Sequence, residues 1–378
     1  MIIQSTRVYF EEKLQPRQIV IEDGKIKDVL PYGLVDGAKD YGDLLILPGL
    51  VDVHNHGYDG LDTNHATVEW LERWMKYLPS EGVTATLATI SSAPKDELLS
   101  GLNSVRQFME NPVEGAHLLG VYEEGPFISE KFRGAQSLDC KITASKEVVD
   151  EFNDACGGNL KYVMIAVEEL NENYDVVSYC VQNGMRVALG HTGAKFAQCE
   201  KAIEHGATSF THTFNGMLGL HHREPGTVGA AMYFDDCYAE LICDGIHVEK
   251  HVASILAKAK GKDKLILVTD SVAIKGLKPG IHVTKGRTTY IGEDGVGRLE
   301  NGTLAGSCNK MNHILDFAIH DAKIDVTTAI NASTINPCRM LGINTKGLIA
   351  SGYDADIVVF DDRFNTQAVY LMGKTYEI

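Results

Sequence analysis

Residues 208–226 read TSFTHTFNGMLGLHHREPG, with three histidines, one asparagine and one arginine set among small and apolar residues. Ala207, Ser209 and Phe210 suggest a short apolar strand that carries His212 to its end. The glycine-punctuated loop that follows presents Asn215, His221, His222 and Arg223 beside it. One loop thus offers both a metal-ligand candidate and a planar cation suited to an anion. A single histidine after a strand more often packs or caps, so the meaning of this stretch depends on what the other strands end with.

Outward from it, strand and helix patterns alternate. Strand candidates fall at 45–53, 83–89, 118–122, 161–167, 186–189, 207–210, 239–242 and 265–268, and helical periodicity occupies 68–78, 96–109, 174–182, 196–205 and 250–259. Eight alternations predict an α/β fold of the (β/α)8 TIM-like barrel type. A doubly wound open sheet is the runner-up, but no glycine-rich dinucleotide fingerprint follows an early strand. The glycine-rich β-type segment 279–306 is expected as a hairpin excursion before the last helices.

Both chain ends read as short strands. Asp23-Gly24 is placed as a hairpin turn, 357–360 is a buried-looking run, and Met372-Gly373-Lys374 is a second turn. We expect the ends to form one small β-sandwich domain (1–47 and 347–378) beside a barrel (48–346).

The strand ends carry the chemistry. The first ends in Asp52, His54 and His56, the third in Glu123 and Glu124, the fifth in His191, the sixth in His212, the seventh in Asp244 and His247, and the eighth in Asp270. In such barrels the active site lies at the C-terminal ends of the strands, so these residues should converge. In an extended segment His54 and His56 point to one face and can share an ion. With Glu124, His191 and His212 they make a nitrogen-and-carboxylate set suited to zinc or iron, with manganese or cobalt as further choices. The identity and number of ions, one or two, stay open.

Composition limits the partners. The 378 residues carry a formal net charge of −16 with 44% hydrophobic content, which argues against nucleic acid or an anionic membrane surface. The eight cysteines are scattered without a CxxC pair and read as reduced thiols. The leading MIIQSTRVYFEEK has no basic segment followed by an apolar run, and no stretch is apolar enough to span a membrane. We expect a cytoplasmic protein.

The motifs LPGLVDVHNHG, YEEGPFISEKFRGAQ, LGHTGA, THTFNGM, HHREPG, LICDGIHV, VTDS, LAGS and GLIASGYDADIVVFD, in this order along essentially the whole chain, resemble the N-acetylglucosamine-6-phosphate deacetylase family of the amidohydrolase superfamily. The resemblance implies a barrel capped by a split β-sandwich, a homodimer, and hydrolysis of the acetamide of a sugar 6-phosphate. By it, Glu124, His191 and His212 match the main metal ligands, and His54 and His56 match a second site found in some members. Asp270 matches the catalytic acid/base. Asn215, Gly216, Arg223 and His247 match phosphate-side contacts, with Arg223 reaching across the dimer; Asp244 and Gln136 are counted among the substrate-binding residues. Ala135, Leu304, Ala305 and Gly306 match sugar-side contacts.

Two departures stand out. Where many members have a histidine that polarises the acetyl oxygen, this chain has Gln136, whose amide donates a hydrogen bond but carries no charge. After the aspartate, SVAIKG replaces smaller residues and should alter the pocket floor. The alternatives are an enzyme for another N-acyl substrate, such as N-acetylgalactosamine 6-phosphate or an N-acyl amino acid, and a non-catalytic amidohydrolase-like scaffold.

Overall fold

The computed structural model describes residues 1–284, 287–293 and 295–377. Eight parallel strands run in sequence order: Leu50–Asp52, Val83–Ile90, His117–Glu123, Leu160–Ile165, Arg186–Leu189, Ser209–Phe210, Tyr238–Leu241 and Leu265–Leu267. They are almost wholly buried, as expected where helices cover a parallel sheet. The first and eighth strands meet just beyond their C-terminal ends. There Asp270 N donates to His54 O (2.9 Å) and His56 N to Ser271 O (2.8 Å). The buried carboxylate of Asp52 adds a bond from Thr269 Oγ1 at 2.6 Å. The closure is therefore made by the backbone of expected site residues and their neighbours.

A helix follows each strand. Val68–Tyr77, Lys95–Glu110, Asp175–Gln182 and Phe196–Glu204 lie close to the expected positions. The remaining four are Lys146–Ala155, Gly226–Tyr233, Lys250–Lys264 and Met311–His320. The last but one extends past the expected end at 259 and is interrupted at Gly261, whose φ is 63°. The first helix begins where Thr67 Oγ1 accepts the Trp70 N–H, and it buries Trp70, Leu71, Trp74 and Met75 against the barrel.

The expected strand at 45–53 is two strands in two sheets. Leu45–Pro48 pairs antiparallel with Ile357–Phe360, and Leu50–Asp52 enters the barrel. Gly49 is the crossing point: its N–H bonds Asp356 O at 2.9 Å, while a β-carbon there would lie 2.0 Å from Thr84 Oγ1. Hydrophobic periodicity does not register this change, because both strands are buried.

The strands of the two chain ends join in one eight-stranded sheet with Leu45–Pro48 near its middle. One face contributes Leu45, Leu47, Val358 and Phe360 to the barrel-side core. The other encloses a separate core of Ile3, Val8, Ile19, Ile21, Ile46, Ile357, Val359 and Tyr370. The sheet curls until its two hairpins touch: Ala355 N bonds Gly24 O at 2.9 Å, and the space over Gly24 is filled by Met372. Between the barrel's last strand and last covering helix, Gly280–Thr284, Arg287–Ile291 and Gly297–Arg298 form a three-stranded antiparallel sheet, where a hairpin excursion was expected. Residues 285, 286 and 294 of that segment lie outside the described residues. Among the described residues no helix is long and apolar enough to cross a membrane.

Candidate metal centre

The strand ends converge on a cavity of about 870 Å³, lined by His56, Glu124, His191, His212, His247 and Asp270 among others. Three of the residues leave their strands with backbone in the left-handed region: His191 (φ 42°), His212 (φ 26°) and Asp270 (φ 47°). Such conformations cost about 1–3 kcal/mol each for non-glycine residues and persist only where surrounding structure holds them. Here the parallel ladder delivers each residue and the turn swings its side chain inward.

Two donor groups face one another. In the first, Glu124 Oε1 is 2.9 Å from both His191 Nε2 and His212 Nε2, and those nitrogens are 3.1 Å apart. In the second, Asp270 Oδ1 is 3.2 Å from His56 Nε2 and 3.4 Å from His54 Nε2. Glu124 spans the two, with Oε2 at 3.4 Å from His56 Nε2 and Oε1 at 3.6 Å from His54 Nε2. Within each group the ligand atoms lie within 4.8 Å of one another.

These residues fit a divalent cation. His191 Nδ1 lies 2.9 Å from the Phe132 carbonyl and must donate to it, so the neutral ring aims its Nε2 lone pair at the Glu124 carboxylate. Lone pair against carboxylate is repulsive unless a positive charge stands between them. Separations near 3 Å also suit ligands sharing one ion, since bonds of about 2.0–2.1 Å in a tetrahedron set ligands about 3.3 Å apart. The field of the carboxylates acts on the imidazoles as well. Burial alone would lower His56, but hydrogen bonds and charge from Asp270 and Glu124 lift it to about 10. His191 is likewise raised by Glu124 against the effect of burial. Asp270 goes the other way: burial favours its neutral form, yet its neighbours His54 and His56 hold it at about 2.

Around the donors stand residues with no place in the sequence reading. Glu240 Oε2 lies 2.9 Å from His54 Nδ1 and accepts the His212 N–H at 3.1 Å. Glu168 accepts from Thr192 Oγ1 and Gly193 N and so fastens the turn after His191. An acidic residue inside the apolar run YAELIC was the available signal for Glu240. Glu123 is buried and does not line the cavity, and its carboxyl is pushed well up by burial and by the neighbouring Glu124 charge.

The sequence profile of the amidohydrolase family matches residues 45–376. The chain belongs to the amidohydrolase family. An N-acetylglucosamine-6-phosphate deacetylase of Bacillus subtilis (strain 168) is 35% identical over 362 residues, 92% of this chain and 89% of the relative. An N-acetylgalactosamine-6-phosphate deacetylase of Escherichia coli O157:H7 is 28% identical over 375 residues, covering 99% and 98%. Among solved structures, a mutant N-acetyl-D-glucosamine-6-phosphate deacetylase of Mycobacterium smegmatis in complex with N-acetyl-D-glucosamine-6-phosphate superposes with a TM-score of 0.93. It shares 27% identity, with coverage of 100% of this chain and 99% of the other.

In this amidohydrolase the other expected site residues divide into two sets. Ala135, Gln136, Asn215, Gly216, His247, Leu304, Ala305 and Gly306 line the same cavity. Asp244 orients His247, with Oδ2 2.7 Å from His247 Nδ1 and Oδ1 accepting the Ile246 and His247 amides. Burial would lower His247, but Asp244 raises it, and its buried Nε2 has no hydrogen-bond partner. Arg223 is different. It is exposed, meets His222 Nε2 at 2.7 Å and is not brought to the cavity of its own chain.

Gln136 lines the cavity with its amide bonded on both sides. Its Nε2 donates to Glu124 Oε2 at 3.0 Å, and its Oε1 accepts from Ser92 N (2.8 Å) and Ser92 Oγ (2.6 Å). Gly125 makes room for this clamp, since a β-carbon there would lie 2.3 Å from Gln136 Oε1. The SVAIKG departure does form part of the wall: Val272, Ala273 and Ile274 line the cavity, while Lys275 turns away to a buried ion pair with Glu81 at 2.7 Å.

Proposed function

We propose that this amidohydrolase hydrolyses the acetamide of N-acetylglucosamine 6-phosphate to glucosamine 6-phosphate and acetate, with Glu124, His191, His212, His54 and His56 as metal ligands. The observation that carries the reading is the meeting of Glu124, His191 and His212 opposite His54, His56 and Asp270 in one cavity. The Bacillus relative and the sugar-phosphate complex of the Mycobacterium enzyme support the substrate.

A divalent ion held there supplies Lewis acidity and brings the pKa of a water toward about 7. The protein's own groups do the rest. Asp270, a carboxylate at neutral pH, takes the proton of the attacking water on an Oδ atom. The water oxygen forms the new bond to the acetyl carbon, and the carbon–nitrogen bond breaks. Asp270 returns the proton to the sugar nitrogen, because an amide anion is too basic to leave. Phe132 O and Glu240 hold the imidazoles of His191 and His54 through their Nδ1 atoms, so Nε2 stays directed at the site.

On the substrate side, His247 Nε2 and the backbone near Asn215 and Gly216 are assigned to the phosphate. Ala135, Leu304, Ala305 and Gly306 are assigned to the sugar. Gly216, at φ 58°, approaches within 2.9 Å of His191 Nδ1 as measured from an ideal β-carbon, so only glycine fits there. Arg223 is assigned to the phosphate of a partner subunit in a homodimer. In support, it is exposed on a loop that also exposes Leu220, and Tyr233 on the following helix is exposed too. We further assign residues 1–47 with 347–378 to one domain and 48–346 to the other. The cytoplasm is assigned because the eight free thiols suit a reducing compartment.

Acetate release on N-acetylglucosamine 6-phosphate, its galactosamine epimer and the unphosphorylated sugar, run with metal analysis of the same preparation, tests the reading. The glucosamine phosphate is expected to be turned over best. Equal turnover without phosphate would remove the roles of Arg223 and His247.

A further inference from the structure

Glu240 lies in the strand Tyr238–Leu241 and is wholly buried. Burying a carboxylate in a barrel interior costs several kcal/mol, and an apolar side chain would serve packing alone better. Its partners belong to different donor groups. Oε2 is 2.9 Å from the ring Nδ1 of His54, which faces Asp270, and 3.1 Å from the backbone N of His212, which faces Glu124. The His54 ring is also held edge-on by Tyr122, with centroids 4.9 Å apart, so Glu240 and Tyr122 together leave it little freedom to turn.

A neutral imidazole has one N–H and one lone pair, and the hydrogen bond made at one nitrogen decides the state of the other. A carboxylate only accepts, so contact at 2.9 Å demands a proton on Nδ1. In the neutral ring, the form that binds a cation, this places the lone pair on Nε2, which is buried, has no hydrogen-bond partner and faces Asp270 Oδ1 at 3.4 Å. The His212 side chain receives no such help, because Glu240 touches only its backbone amide.

We propose that Glu240 is a positioning residue that selects the Nδ1–H tautomer of His54, and through it sets the affinity of the His54, His56 and Asp270 group for a second divalent ion. The group of Glu124, His191 and His212 depends on it far less. The second half of this proposal rests on the metal-dependent reading above, whereas the tautomer does not.

The experiment uses the full chain and Glu240→Gln, which keeps size and an acceptor oxygen but removes the charge and competes with an NH2. Ring 15N shifts of His54 in metal-free protein, followed over a pH series until the ring is neutral and assigned by comparison with His54→Gln, read the tautomer. Titration with zinc, followed by metal analysis, reads the two sites. We expect a single Nδ1–H form in the unsubstituted protein and a mixture in Glu240→Gln. We also expect one zinc bound as before and the second weakened about 10–100-fold. Glu240→Asp, which retains the charge, should recover part of the second site.

Equal weakening of both ions, or of neither, overturns the proposal. So does an Nε2–H form of His54 in the unsubstituted protein, a result that needs no variant to fold. A chain that binds no divalent ion yet holds His54 as Nδ1–H would sink the metal-dependent reading and leave the tautomer assignment standing.

Discussion

Replacing Gln136 with leucine separates two roles for this residue. Leucine fills nearly the same space, so no sizeable cavity forms; what is lost is the amide. Its bond to Glu124 Oε2 at 3.0 Å ends on a carboxylate, where a hydrogen bond contributes about 1.5–3 kcal/mol. Ser92 N and Ser92 Oγ lose their common acceptor, and unmade bonds at buried groups cost about 1–3 kcal/mol each. Ser92 is only partly buried, so water recovers much of the second contribution. A net loss of about 3 kcal/mol follows, read by urea unfolding of metal-free protein. Glu124 Oε2 also loses the amide that orients it, so competition with a coloured chelator should show its group binding zinc about 10–100-fold more weakly. Unchanged zinc affinity and stability, with kcat alone reduced, would refute the clamp and return Gln136 to the substrate-side role expected from the family resemblance.

Asp270→Asn should keep zinc on Glu124, His191 and His212, while acetate release falls about 10²–10⁴-fold; activity within threefold of the parent would exclude Asp270 as the proton carrier. Because Asp244 raises His247 above its ordinary value, the imidazolium persists beyond about pH 6.5 and is lost as pH rises through the raised value. KM for the sugar phosphate should climb over that range, and His247→Gln should flatten the profile. Stripping ions with a chelator should abolish turnover and lower the melting temperature; added ion at about 100 times its Kd restores about 2.7 kcal/mol. Lys346 is buried 3.0 Å from Asp354 and 2.5 Å from Asp356. Asp354 is lowered by Lys25 and Lys346 although burial opposes it, so its contribution to stability is present above about pH 3.9 and fades as pH falls below. Lys346 is raised by the two aspartates against burial, so its contribution is present below about pH 10.4 and fades as pH rises beyond. Lys346→Met should therefore destabilise most between those limits, by about 3–5 kcal/mol in urea unfolding.

The barrel was legible because its strands obey a simple rule: each apolar run stops at a polar residue, and the ladder brings those stops to one rim. His54, Glu124, His191, His212 and Asp270 could be chosen for that reason, with no knowledge of distances. What escaped is whatever depends on contact between side chains of different strands. Glu240 follows only two residues after the start of its strand and looks like an interruption of an apolar run, not like an end. Its value appears only when His54, 186 positions away, is seen 2.9 Å from it. The partners of Gln136 escaped for the complementary reason. The residue type is legible and the partner is not, since the same amide can serve a substrate oxygen or a neighbouring carboxylate, and the clamp seen here depends on Ser92 and on the absence of a side chain at Gly125. The division of 45–53 failed similarly, because two buried strands in succession have no polar boundary, and only a glycine pressed against Thr84 marks the passage. Sequence pattern thus reports burial and strand ends well, and reports pairings poorly. In this protein the donors are strand ends and their supports are pairings, so the chemistry is easier to read than the structure that holds it in place.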